Sequence, residues 1–198
     1  MPNTKRTITA IVLIFTAALS HAQTPATKYS FPQVGWTMFL PATFKVVDSA
    51  TSADLQQKGK KILEDANSIN VDISSTRTLI TARKNAVTTF NSTIRSYNPN
   101  KEGDYATANQ QVKTSLYKAL AAKSPNAKID TSSSSLVIDG LAFDKFYLQL
   151  TLGARVLFHM VILSKYYKGY DWGITYLYND DVSKAEIESI LTNSKFGR

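Results

Sequence analysis

The chain has 198 residues, no cysteine and a formal net charge of +8. Without cysteine there are no disulfides, no thiolate nucleophile, no cysteine-ligated metal and no lipid anchor through that residue. The basic residues are scattered, and no nucleic-acid-binding motif accompanies them, so the charge fits an anionic partner in general and argues against nucleic acid.

Residues 1–22 read as a secretory signal peptide. Lys5 and Arg6 precede an apolar run from Ile8 to Leu19 that is too short to span a bilayer, and Ser20 and Ala22 fit cleavage between Ala22 and Gln23. Lys5 and Arg6 are the only charges before that cut, so the net charge falls from +8 to +6 without them. The expectation is an exported protein, periplasmic or secreted, with no transmembrane segment after cleavage. Export without disulfides suits a bacterial envelope better than a small eukaryotic secreted module. Residues 23–30 are polar and include Pro25, and are expected to form a flexible leader. Residues 31–198 show no linker, repeat or change of composition, and so read as a single domain large enough to bury a core.

Within that domain Gly35 to Leu40 reads as a strand stopped by Pro41. A helix is predicted over Thr51–Ala66, opening at Thr51 or Ser52, with Leu55, Ile62 and Leu63 on its apolar side. Gly59 interrupts it and weakens it by about 1 kcal/mol relative to alanine. Lys58-Gly59-Lys60-Lys61, the only basic cluster, reads as a solvated helix face. Arg77–Lys84 and Val87–Tyr97 read as strands about a turn near Asn85, and Asn91-Ser92-Thr93 is a glycosylation sequon with meaning only in a glycosylating host. Asp104 caps a second helix to about Ala122, with Tyr105, Ala108, Val112, Leu116 and Leu120 on one stripe. Thr131–Ser135 reads as a loop leading to a strand at Leu136–Ile138, and Asp139-Gly140 is a hairpin turn. Leu141–Leu152, Arg155–Tyr167 and Tyr170–Tyr178 follow as three long strands. Ser183-Lys184-Ala185-Glu186 reads as a capping box for a last helix buried through Val182, Ile187, Ile190 and Leu191.

The stretch SKYYKGYDWGITYLY, Ser164 to Tyr178, is either an exposed stacking platform or the inside of a sheet. A two-residue turn at Lys168-Gly169 sets Lys165 opposite Trp172, Leu163 opposite Ile174 and Val161 opposite Tyr176. A similar turn at Gly153-Ala154 sets Leu150 opposite Leu157 and Leu148 opposite His159. On that register one face carries Phe146, Leu148, Leu150, Leu157, His159, Val161, Leu163, Trp172, Ile174, Tyr176 and Tyr178, nearly all apolar. Val156, Phe158, Met160 and Ile162 make the middle strand apolar on its other face too, so it is expected to be central and covered on both sides. The aromatic stripe then reads as core. Only the hairpin tip, with Tyr166, Tyr167 and Tyr170, stays open as a binding surface, and Lys165 could lie over Trp172 as a cation–π pair.

Catalytic chemistry finds little support. His159 is the one histidine left after His21 departs with the signal, and it reads as a hydrogen-bonded core histidine. No second metal ligand is spaced to join it. No G-x-S-x-G elbow is present, and Asp180-Asp181 reads as a helix cap rather than an acid–base pair. No glycine-rich phosphate loop follows a strand. No catalytic, cofactor-binding or metal-ligating residue is assigned, and no cofactor is expected.

Several segments carry a resemblance when taken together: VGWTMFLPATFKVVD near the start, GLAFDKFYL, YYKGYDWGITYLYND, and the closing ILTNSKF. Their order and wording resemble the PsbP-like family, particularly its small exported bacterial members, over most of residues 31–197. The resemblance implies an α+β fold: a three-layer α/β/α sandwich with a twisted, mainly antiparallel sheet covered by helices on both faces. Its superfamily includes an extrinsic photosystem II subunit and a Ran-binding nuclear-transport factor, both with binding or assembly roles, and no functional residue of either maps onto this chain. The expected function is that of an exported, non-catalytic binding or assembly protein of the bacterial cell envelope, partnered by an unidentified protein or envelope component. The alternatives are an envelope hydrolase using a serine nucleophile or paired carboxylates, and a carbohydrate-binding module using the tyrosine-rich tip.

Overall fold

A computed structural model describes residues 25–197; the expected signal segment, 1–22, lies outside them. The elements are β1 (Ala26–Phe31), β2 (Trp36–Pro41), β3 (Lys45–Val46), α1 (Ser49–Asn67), β4 (Arg77–Arg83), β5 (Thr89–Ser96), α2 (Pro99–Glu102), α3 (Tyr105–Lys123), β6 (Lys128–Ile138), β7 (Leu141–Leu152), β8 (Arg155–Tyr167), β9 (Tyr170–Tyr178), α4 (Asp181–Thr192) and β10 (Lys195–Phe196). Seven strands form one sheet in the order β3-β4-β5-β9-β8-β7-β6, and β1-β2-β10 form a second, smaller sheet. Every pairing in the two sheets is antiparallel.

The large sheet is covered on both faces. On one, Ile80, Ala82, Phe90, Ile94, Val161, Leu163, Trp172 and Ile174 pack against Trp36, Met38 and Leu40 of β2 and Ile187, Ile190 and Leu191 of α4. On the other, Phe146, Leu148 and Leu150 with Phe158, Met160 and Ile162 meet Leu116 and Leu120 of α3, and α1 lies beside α3. The result is an α+β fold of three layers. Alternation alone produces the first core: in β2, Trp36, Met38 and Leu40 are buried while Phe39 between them is exposed.

The β8–β9 register is the expected one, Lys165 opposite Trp172 and Val161 opposite Tyr176. Lys168 and Gly169 both take positive φ, 51° and 80°, as a type I′ hairpin turn requires. The β7–β8 register is not as expected. Thr151 pairs with Val156 but Leu150 pairs with Phe158, so Leu157 is an extra residue in β8. This bulge shifts β7 by one position and turns each of its side chains to the other face. Phe146, Leu148 and Leu150 therefore join the α3 side, and Leu148 lies opposite Met160 rather than His159. Phe143 takes their place beside Trp172.

Other expectations are corrected in the same way. The leader expected over 23–30 is β1 from Ala26 on, held by backbone pairing with β2. Thr131–Ser135 is not a loop but the middle of β6, where pairing to β7 outweighs the low strand propensity of serine. Asp48 caps α1 instead of Thr51 or Ser52, and Asp180 caps α4 instead of Ser183. Val112 and Val182, placed on buried stripes, are exposed.

Gly197 meets the start of β2 at Gly35. This residue has φ +63°, its carbonyl accepts the Gly197 amide at 2.7 Å, and a Cβ added to it would lie 2.8 Å from the Gly197 carbonyl oxygen. Only glycine allows that approach.

Candidate functional site

Helix α1 does not rest on the sheet beneath it. Ser52 is its only buried residue; Leu55 and Leu63 are half-buried and Ile62 is exposed. Near its N-terminus the Ser52 hydroxyl lies 2.8 Å from that of Thr81, and the Gln56 side-chain amide donates to Thr78 Oγ1 at 2.6 Å. At the far end the Asn67 side chain donates to the Ser115 carbonyl of α3 at 3.0 Å. Between these ties Gly59 contributes no side chain, and a Cβ there would meet nothing within 4 Å.

The strands below α1 are equally spare. On β5 the large side chains Phe90 and Ile94 point to the opposite core, leaving Thr89, Asn91 and Thr93 under the helix. Leu177 and Thr175 of β9 and Phe158, Met160 and Ile162 of β8 continue this floor, and Leu116 of α3, Val71, Ile73 and Val87 close its sides. A cavity of about 690 Å³ results. Ligand pockets span roughly 300–1,000 Å³ and combine apolar walls with a few placed polar groups. Here the Asn91 amide donates to Thr81 Oγ1 at 2.7 Å, and Thr81 also meets the Ser52 hydroxyl, while Thr89, Thr93 and Thr175 present their side chains to the space. The Asn91 bond also places the sequon asparagine inside the fold. Arg83, at the end of β4, lines the same cavity, and its Nε is buried without a hydrogen-bond partner. Lys60 also lines it, but lies 3.6 Å from Glu64.

The residues singled out in the sequence lie elsewhere. His159 is half-buried on the α4 face, its ring stacked 4.7 Å from that of Tyr178. Its Nδ1 is 2.6 Å from the Tyr147 hydroxyl, so its partner is a tyrosine rather than a serine. Burial lowers its pKa below the usual histidine value, and the nearby Lys184 pushes the same way. Burial also pushes the Tyr178 hydroxyl up to about 12. Asp180 accepts from the amide and hydroxyl of Ser183 at 2.7 and 2.8 Å, and these bonds hold its carboxyl below the ordinary range. Among the described residues no group of three His, Asp or Glu side chains could hold a metal ion.

The hairpin tip is anchored. Trp172 is fully buried, donating to the Ser92 hydroxyl at 3.0 Å, and cannot join a stacking surface. Lys165 sends its ammonium to the Ala142 carbonyl at 2.8 Å. Tyr166 is partly exposed, but its ring packs against Tyr97 and Tyr105 at 5.8 and 5.9 Å. Tyr105 in turn donates to Asp171 at 2.9 Å, which Arg95 also approaches. Tyr167 lies against Trp172, and Tyr170 is partly buried against the main core.

Among solved structures, cyanobacterial PsbP (CyanoP) from Synechocystis sp. PCC 6803 superimposes with a TM-score of 0.55, covering 90% of this chain and 96% of that one at 12% identity. The fold is PsbP-like. A Bacteroides thetaiotaomicron structure is also similar, with a TM-score of 0.45 and 10% identity over 86% of this chain and 48% of that one. No family model matches the sequence, and no curated protein is similar to it. At such identity the PsbP-like architecture is what the two chains share, and functions differ widely between proteins of one fold. Among the described residues no helix is long and apolar enough to cross a membrane.

No motif marks this cavity in the sequence. Its traces are a glycine in mid-helix, the alternating polar face of Thr89, Asn91 and Thr93, and a strand-borne arginine, each ordinary when read alone.

Proposed function

We propose that the chain is an exported, non-catalytic binding protein of the bacterial cell envelope, and that its ligand lies between α1 and the sheet. The supporting observation is the cavity of about 690 Å³, where apolar side chains such as Leu55, Leu63, Phe158, Met160, Ile162 and Leu177 alternate with polar ones. Such a space holds apolar matter out of water, and the polar groups along it can orient a ligand. The PsbP-like architecture, shared with CyanoP across nearly the whole chain, is compatible with a binding role. His159 lies on the opposite face of the sheet and contributes nothing to the cavity.

An environment-sensitive apolar dye tests this reading. The wild-type protein is expected to bind it at one saturable site with a rise in fluorescence. Gly59→Phe, which places a ring where there is open space, is expected to abolish that signal while leaving the melting transition cooperative. Equal dye binding by the two proteins would remove the cavity as the site.

A further inference from the structure

We propose that the cavity takes a single-chain amphiphile with a carboxylate head, its apolar chain lying over Phe158, Met160 and Leu177 and its head at Arg83. This rests on the reading that the cavity is the ligand site. The decisive group is Arg83. It lines the cavity, and although its Nε is shut away from solvent, among the described residues no carboxylate forms an ion pair with its guanidinium. An arginine fork matches a carboxylate in two parallel hydrogen bonds, so an unpaired guanidinium on the cavity wall suits a carboxylate head.

The charge balance narrows the choice of head. Lys60, the other cation of the lining, already faces Glu64 at 3.6 Å, leaving Arg83 as the unneutralised one. One fixed positive charge matches a carboxylate, whereas a phosphate monoester carries a charge closer to two at neutral pH and would leave an excess. Sugars fit less well. Ser52 and Asn91 are each bonded to Thr81, and the β8 and β9 part of the floor is apolar through Phe158, Met160, Ile162 and Leu177, apart from Thr175.

The test is calorimetric titration of the purified protein with four twelve-carbon probes, each below its micelle concentration: dodecanoate, dodecyl phosphate, dodecyltrimethylammonium and dodecyl maltoside. Dodecanoate is expected to bind tightest, by about tenfold or more over the cationic and uncharged probes. Arg83→Gln should erase that margin, Arg83→Lys should keep part of it, and Gly59→Phe should abolish binding of every probe. Arg83 makes no side-chain hydrogen bond whose loss would strand a partner, so its variants are expected to fold, and Arg83→Lys controls for this. Equal binding of all four probes, unchanged in Arg83→Gln but lost in Gly59→Phe, would overturn the carboxylate assignment and leave the cavity reading standing. Tighter binding of dodecyl phosphate would overturn the choice of head. Absence of binding by any probe would overturn both readings.

Discussion

The Tyr147 hydroxyl sits 2.6 Å from Nδ1 of His159 because a bulge at Leu157 turns both side chains to the same face of adjacent strands. Tyr178 stacks on the other side of the imidazole, and Lys184 and Asp181 of α4 act on it from above, the lysine opposing a positive ring and the aspartate favouring one. Burial is the largest influence, and the folded pKa lies below the usual 6.5. The unfolded chain therefore binds the proton more readily than the folded one, so this contribution to stability is complete above about pH 6.5 and is lost as pH falls toward the folded pKa. Melting temperature is expected to drop on acidification from about pH 7.5 to 5, and His159→Phe, which keeps the stacked ring, should flatten that drop. The carboxylates of Asp104 and Asp180 are held low by their capping bonds, so their contribution is lost only below the ordinary aspartate range and does not confuse the measurement. An identical slope in His159→Phe would show that the imidazole is not the group responsible.

A second pair ties α3 to the sheet. Lys113 is buried, and its ammonium lies 2.6 Å from Asp144 Oδ2, which also accepts from the Asn109 side chain at 2.6 Å. The Lys113 side chain is 9% exposed and that of Asp144 40%, so the two partners are not equivalent. Asp144→Ala leaves a buried ammonium unpaired and is expected to destabilise by about 1–3 kcal/mol, below the range for a wholly buried pair because Asp144 is partly hydrated. Lys113→Met keeps an apolar stem beside Phe146 and leaves a carboxylate that water can reach, so its loss should be smaller. Urea denaturation of the two variants checks the order, and a larger loss for Lys113→Met would contradict it.

Gly35 and Gly153 separate two effects of glycine. Their φ values are similar, +63° and +60°, but a Cβ on Gly35 meets the Gly197 carbonyl at 2.8 Å while one on Gly153 meets nothing within 4 Å. Gly153→Ala is expected to cost about 1–2 kcal/mol from backbone conformation alone. Gly35→Ala should cost clearly more and should loosen β10, which hydrogen exchange at the Gly197 amide would register. Equal losses would mean that the chain end shifts freely away from β2.

The long strands β7, β8 and β9 were legible because alternation and turn chemistry agree at Asp139-Gly140, Gly153-Ala154 and Lys168-Gly169. The bulge at Leu157 was not, since an extra residue in one strand leaves no compositional mark and depends on how the backbone twists. The serines of β6 concealed a strand because their side chains face solvent along the sheet's edge, where pairing rather than burial decides. The aromatic stripe is interior, and Asp180 caps α4 with Asp181 in its first turn. The cavity is not legible in the sequence for another reason. It opens where Gly59 of α1, Thr81 of β4 and Thr89, Asn91 and Thr93 of β5 meet in space, a juxtaposition that no single segment shows.

The closing of the small sheet bears on when the protein can fold. Trp36, near the start of the domain, donates to the Ser194 hydroxyl at 2.9 Å across 158 positions, and β2 pairs with β10 at the far end of the chain. Contacts between such distant segments form slowly, and this one cannot form until the last residues are free. Trp36 finds these partners only once Ser194 and β10 are in place, so the small sheet closes late.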